Sequence, residues 1–231
     1  MTGKSIRLPV EQETGPQEAT ARLRISEIFC SIQGEALSAG CRTTFVRLTG
    51  CPLRCVYCDT AYAFQGGAWH TLDEIAASVR EFGARFVCVT GGEPLAQRRC
   101  LALLERLCDE GYDVSLETSG ALDIQFVDSR VSRVVDIKTP GSAEEARNLY
   151  GNVGLLTKRD ALKFVICDDA DYEWAKSQLE GWGELPCDVL FAPSYGEVDA
   201  TALAEWILRD GLDVRLQLQL HKLLWGDVAG R

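Results

Sequence analysis

The chain has 231 residues, 46% hydrophobic and 25% charged, which suits one sizeable globular core and demands no second one. Its formal charge of -10 argues against a general nucleic-acid binder, because phosphate contacts need a basic stripe, and points to a small-molecule substrate. No run approaches the roughly 18 apolar residues of a membrane span, and "MTGKSIRLPVEQETGPQEAT" lacks the apolar centre of a signal peptide.

Residues 1–21 are polar, with Gly and Pro and little periodicity, and read as a flexible N-terminal extension ahead of one domain over 22–231. Strand patterns follow at 23–29, 43–49, 85–90, 113–118, 133–138, 162–167 and 188–193, with a last one near 214–218. A helix is expected after "TLDE", where Thr71 and Glu74 form a capping box and Gly83 supplies the stop. Further helical spacing marks "RRCLALLERLCDEG", "DYEWAKSQLEG" and "DATALAEWILRDG". Strands alternating with helices imply crossover units on a parallel sheet. About six such units suit a small, open α/β barrel rather than a closed eight-fold one.

In that architecture chemistry belongs at the carboxyl ends of the strands. The unusual sequences fall there: "GCPLRCVYCDT" after the second strand, "TGGEP" after the third, "ETSG" after the fourth and "DIKTPGS" after the fifth. The absence of a secretory signal places the protein in the cytoplasm, where its ten cysteines stay reduced and metal binding is a better reading than a disulfide framework. Cys51, Cys55 and Cys58 are spaced C-x3-C-x2-C, so one short loop offers three thiolates. Structural zinc wants four protein ligands, and here the fourth would be a distant cysteine or His70. A four-iron cluster held by three thiolates keeps one iron open to another molecule. Cys30 and Cys41 lie close enough in sequence to compete as ligands, although a single loop should win.

"CPLRCVYCD" resembles the signature of radical S-adenosylmethionine enzymes, including the aromatic Tyr57 before the third cysteine, and "TGGEP" resembles their glycine-rich segment. The wider stretch "EIFCSIQGEALSAGCRTTFVRLTGCPLRCVYCDT" and the closing "LQLQLHKLLWG" resemble the 7-carboxy-7-deazaguanine synthases within that superfamily. The resemblance runs from Arg24 to Trp225 and implies a partial (βα)6 TIM-like barrel. It implies a lyase that contracts 6-carboxy-5,6,7,8-tetrahydropterin to 7-carboxy-7-deazaguanine with loss of ammonia, in queuosine-type biosynthesis. A 4Fe-4S cluster and S-adenosylmethionine would generate a 5'-deoxyadenosyl radical, and the methionine cofactor would be regenerated. No protein side chain is then catalytic, because the radical arises on the cofactor.

By the same resemblance Cys51, Cys55 and Cys58 hold the cluster and Thr60 contributes to a magnesium ion, a hard cation that takes oxygen ligands. Ile32, Gln33, Gly34, Arg47, Thr90 and His221 would bind substrate. Tyr57, Cys58, Asp59, Gly92, Glu93, Glu117, Ser119, Asp136, Ile137 and Lys138 would bind the cofactor. Arg47 suits a substrate carboxylate, which a guanidinium holds bidentately, although an ion pair with Glu27 or Asp59 would also satisfy it. A flavodoxin or ferredoxin as electron donor and a homodimer are further implications. Two departures stand out: Ala36 replaces the second glycine of the family's Q-G-E-G stretch, and Ser119 stands where asparagine is common. A glycyl-radical activase or a non-enzymatic zinc or iron-sulfur protein are the rival readings of the cysteine loop.

Overall fold

The computed structural model describes residues 21–226 and 228. The expected N-terminal extension therefore lies outside the described residues except for Ala21, which is buried and whose carbonyl accepts from the Leu72 N–H.

The elements in order are β1 (Arg22–Ile32), β2 (Arg42–Leu48), β3 (Ala68–Thr71), α1 (Leu72–Phe82), β4 (Phe86–Gly91), α2 (Cys100–Asp109) and β5 (Asp113–Thr118). Then come β6 (Ser132–Ile137), β7 (Ala161–Ile166), α3 (Asp169–Trp182), β8 (Asp188–Pro193), α4 (Ala200–Asp210), β9 (Arg215–Leu216) and α5 (Leu220–Trp225). They build one nine-stranded sheet in the order β3-β1-β2-β4-β5-β6-β7-β8-β9, open at both ends. From β2 onward the neighbours are parallel, whereas β1 runs antiparallel to both β2 and β3. This is the open α/β barrel expected, with an antiparallel hairpin added at its leading edge.

Every anticipated strand and helix is present. The capping box forms as read: the Thr71 hydroxyl accepts from Glu74 N–H while the Glu74 carboxylate accepts from Thr71 N–H. The short β3 and α5, four and six residues long, carried too little periodicity to be anticipated. The crossovers β5–β6 and β6–β7 contain no α-helix. In the first of them Ile124, Val127 and Val131 pack into the core themselves, covering the sheet as a helix would.

Side chains alternate across each strand, so one face of the sheet meets the helices and the other faces the barrel interior. The outer face supplies Val46 and Leu48, Val87 and Val89, Leu116, Val135 and Ile137, Leu162 and Phe164, and Phe191. Against it pack Ile75 and Val79 of α1, Leu103, Leu104 and Leu107 of α2, Tyr172 of α3, and Leu203 and Ile207 of α4. Each such side chain, fully buried, stabilises the fold by about 1.5–3 kcal/mol. Inside, Ala36, Val134, Ala161 and Leu190 form a small apolar floor. Two residues further along β6 and β7 the same face carries Asp136 and Lys163. Polarity inside the barrel therefore begins directly above that floor.

Candidate active site

The barrel interior holds a cavity of about 500 Å³. Strand parity decides its wall: Phe45 and Arg47 from β2, Thr90 after Val89, Glu117, then Val134 and Asp136, Lys163 and Val165, and Ala192. The interior is charged but closely paired. Lys138 Nζ lies 2.6 Å from Asp136, and Lys163 Nζ is in contact with Glu35 Oε2. Arg47 Nε donates to Glu27 at 2.7 Å, and Tyr62 Oη donates to the same carboxylate at 2.8 Å. Burial alone would drive a proton off Lys163, but Glu35, Asp136 and Glu117 outweigh it and hold the ammonium above its ordinary range. Burial opposes the charge of Lys138 in the same way, and Asp136 reverses the outcome.

The cysteine loop leaves the end of β2 and closes one side of the cavity. Gly50 N–H donates to Ala63 at 2.8 Å, and Cys58 N–H donates to Cys55 at 3.2 Å, folding the segment tightly. Arg54 braces it by donating from Nη1 to the carbonyls of Cys51 and Leu53 at 2.8 and 2.6 Å. Cys51, Cys55 and Cys58 are half-buried and line the cavity. Burial pushes the Cys51 and Cys55 thiols upward; the neighbouring cysteines add to this repulsion, and Lys138 opposes it. A cationic metal group relieves that cost by holding the sulfurs as thiolates.

Among the described residues no three His, Cys, Asp or Glu side chains converge as a single metal ion requires. A cubic cluster takes each thiolate at a separate corner, and Cys51, Cys55 and Cys58 offer three thiols to one cavity. His70 lies on the edge strand β3 and does not line the cavity, nor do Cys30 and Cys41. The proposed fourth zinc ligand and the competing thiols are thus kept apart from the site.

Of the residues that the resemblance assigns to cluster, magnesium, substrate or cofactor, all line this cavity except Glu93 and Ile137. Ile137 falls between Asp136 and Lys138, so strand alternation turns it into the outer core. Glu93 is fully buried beneath the cavity wall. Its carboxylate accepts from Leu95 N–H at 2.9 Å, from Thr118 Oγ1 at 2.8 Å and from both the N–H (2.7 Å) and the hydroxyl of Ser119. It braces β4 to β5, and neither Glu93 nor Ile137 turns its side chain into the cavity. Gly92 remains at the wall, beside Cys51.

Glu117 accepts from Gln33 Nε2 at 3.2 Å and from Thr90 Oγ1 at 3.0 Å. It is therefore grouped with two of the expected substrate contacts rather than with the cofactor side. Asp59 accepts from Thr60 Oγ1 at 2.7 Å and lies 3.1 Å from Lys222. Burial would raise its pKa, but Thr60 and Lys222 together hold it down at about 2. His221 packs against Gly34, and burial lowers its pKa below the usual imidazole range. Sequence reasoning passed over Glu35, Lys163, Lys222 and Tyr195, all of which line the cavity. A lysine inside a β-pattern, at "LKFVI", was the available signal for Lys163.

A family model described as "Radical SAM superfamily" matches residues 45–136, which span the cysteine loop and the strands beside it. A 7-carboxy-7-deazaguanine synthase from Chlorobaculum tepidum is 48% identical over 213 residues, covering 90% of this chain and 97% of the relative. The chain belongs to the 7-carboxy-7-deazaguanine synthase family. Another synthase of the same name, from Koribacter versatilis, is 42% identical over 219 residues, covering 88% of this chain and 97% of its own. The crystal structure of QueE from Escherichia coli superimposes with a TM-score of 0.67 at 25% identity, covering 86% of this chain and 94% of that one. Streptococcus suis SuiB bound to S-adenosylmethionine, at 14% identity and a TM-score of 0.55, shares the fold and covers 74% of this chain.

As a radical S-adenosylmethionine enzyme, a synthase of this family works with a 4Fe-4S cluster and that cofactor, and the cavity fits both. Three thiols suit the cluster. Tyr57 brings a buried Oη with no hydrogen-bond partner among the described residues, a polar group that a ligand would satisfy.

Proposed function

We propose that the chain contracts 6-carboxy-5,6,7,8-tetrahydropterin to 7-carboxy-7-deazaguanine, with release of ammonia, inside this cavity. The observation that carries the reading is the arrangement of the two walls. A three-thiol loop closes one side, and a polar set made of Gln33, Arg47, Thr90, Glu117 and His221 lines the same space.

Cys51, Cys55 and Cys58 would hold the cluster, which together with S-adenosylmethionine would supply hydrogen-atom-abstraction chemistry. The side chains hold and orient. Among the described residues Arg47 donates only from Nε, to Glu27, which leaves its terminal nitrogens to meet the substrate carboxylate. Phe29 and Tyr62 lie 5.8 and 5.9 Å from the guanidinium and fix its plane. Gln33, tied to Glu117, presents an amide that both donates and accepts at the pterin edge. His221, kept neutral by burial, offers one donor and one acceptor nitrogen. Lys138, Asp136, Ser119 and the Gly92 backbone form the cofactor side. Positioning of this kind removes much of the entropic part of a barrier, and exclusion of water protects a reactive intermediate.

Thr60 is proposed as a magnesium ligand, with substrate oxygens and waters completing the octahedron because one hydroxyl binds magnesium poorly. Residues 22–231 form one functional domain in this reading, and the enzyme acts in the cytoplasm as a homodimer reduced by a flavodoxin or ferredoxin.

The test is an anaerobic assay of reconstituted, reduced protein with the carboxytetrahydropterin, S-adenosylmethionine and magnesium. Formation of the deazaguanine acid without net loss of S-adenosylmethionine is the expected result. Cofactor cleavage without pterin turnover would retain the radical class and defeat the specific substrate.

A further inference from the structure

One carboxylate in the cavity is only half satisfied. Glu35 is 7% exposed, and its Oε2 is in contact with Lys163 Nζ. Its Oε1 is buried with no hydrogen-bond partner among the described residues. A buried acceptor left unmet is costly, and a ligand N–H recovers that cost on binding. Lys163 is itself only 9% exposed and sits on β7 opposite Asp136 of β6, with Leu190 of β8 on its other side. It is thus anchored from the strands, while Glu35 comes from the loop after β1. Their contact joins the two halves of the cavity.

We propose that Lys163 is a positioning residue for substrate recognition: it fixes Glu35 so that Oε1 accepts an N–H from the amino-pyrimidinone edge of a bicyclic substrate. This rests on the pterin reading given above. Glu117 lies close enough to Glu35 for mutual repulsion, which a cation beside them offsets. The Lys163 ammonium is that cation. Glu117 already accepts from Gln33 and Thr90, so Glu35 contributes the unengaged acceptor and Lys163 sets its direction.

The experiment compares steady-state kinetics of wild-type, Lys163→Met, Glu35→Gln and the double variant as reconstituted enzymes. Loss of one charge-assisted hydrogen bond raises KM for the carboxytetrahydropterin in Lys163→Met by about tenfold or more, with kcat changed much less. In the Glu35→Gln background the same lysine substitution adds less than about twofold, since Lys163 acts through Glu35. An unchanged KM, a loss confined to kcat, or additive effects in the double variant overturn the proposal. Lys163→Gln guards against misfolding: if neither lysine variant takes up iron, the role of Lys163 is structural and the proposal fails. A wild-type enzyme that does not turn over the pterin overturns the parent reading instead, and this inference with it.

Discussion

Gly92 lies so close to the cluster loop that a Cβ built on it would stand 2.7 Å from the Cβ of Cys51, closer than such atoms approach in proteins. The Gly92 N–H donates to Leu48 at 3.2 Å and Glu93 N–H to Gly50 at 2.8 Å, so backbone on both sides is already fixed. Gly92→Ala must therefore displace the loop that carries the first thiol. The expected outcome is a marked fall in iron bound per chain from the about four of a full cluster, read by iron analysis and visible absorbance. Full iron uptake would show that the loop yields without cost.

Cys55→Ala removes a thiol from the middle of the three-sulfur loop. Two remaining thiolates hold a cube poorly, so both the brown colour and reductive cleavage of S-adenosylmethionine should disappear. Electron paramagnetic resonance of the reduced variant checks the first outcome and chromatography of deoxyadenosine the second. A variant that keeps both would transfer the ligand role to another residue.

The fold was largely legible because its strands and helices carry plain periodicity, and because the unusual segments fell at strand ends. The site was legible only where a motif named the residue. Strand parity was present in "RVVDIK" and, applied strictly, would have turned Ile137 outward between Asp136 and Lys138. Glu93 differs for another reason: an acid after two glycines reads as a ligand, and only the fold reveals that Thr118 and Ser119 donate to its carboxylate. Glu35 and Lys163 are separated by 128 positions, and no local pattern announces a pair at that distance.

His221 links the closing helix to Gly34 and should make stability depend on pH. Burial lowers its folded pKa, with Glu35 and Asp59 pulling the other way. The unfolded chain then takes up a proton near pH 6.5, before the folded one does. Stability is fully present above that value and declines as the pH falls toward the depressed folded pKa. Urea midpoints measured from pH 8 to 5 should fall more steeply below about 6.5 in wild type than in His221→Asn. Parallel profiles would remove His221 as the cause.

Ala36 occupies the left-handed region at φ 60, where the family favours glycine, and its methyl packs against Val134, Ala161 and Leu190. A side chain in that conformation costs about 1–2 kcal/mol. Removing the methyl forfeits about 0.8 kcal/mol of burial, and glycine adds about 0.5–1 kcal/mol of lost chain entropy. The terms nearly cancel, so Ala36→Gly should leave stability within about 1 kcal/mol of wild type. Ala36→Val adds both backbone strain and bulk to a closed floor and should cost about 2 kcal/mol or more. Urea denaturation of the two variants decides it; a strongly stabilised Ala36→Gly would mean that the floor contributes nothing.

Among the described residues Arg133 and Asp160 make the most enclosed ion pair outside the cavity. Asp160 accepts from Arg133 N–H, Nε and Nη2 at 2.8, 3.0 and 2.6 Å, and from Thr157 N–H and Oγ1 at 2.8 and 2.9 Å. Burial works against the charge, but these donors hold the Asp160 pKa below its ordinary value. Asp160→Ala strands a buried guanidinium and should destabilise the protein by about 3–5 kcal/mol. Replacing both partners, as Arg133→Met with Asp160→Leu, removes the stranded charge along with its partner. The double variant should then unfold at a higher urea concentration than Asp160→Ala alone. Equal midpoints would mean that the loss comes from the Thr157 turn, whose hydrogen bonds both variants lack, and not from the unpaired arginine.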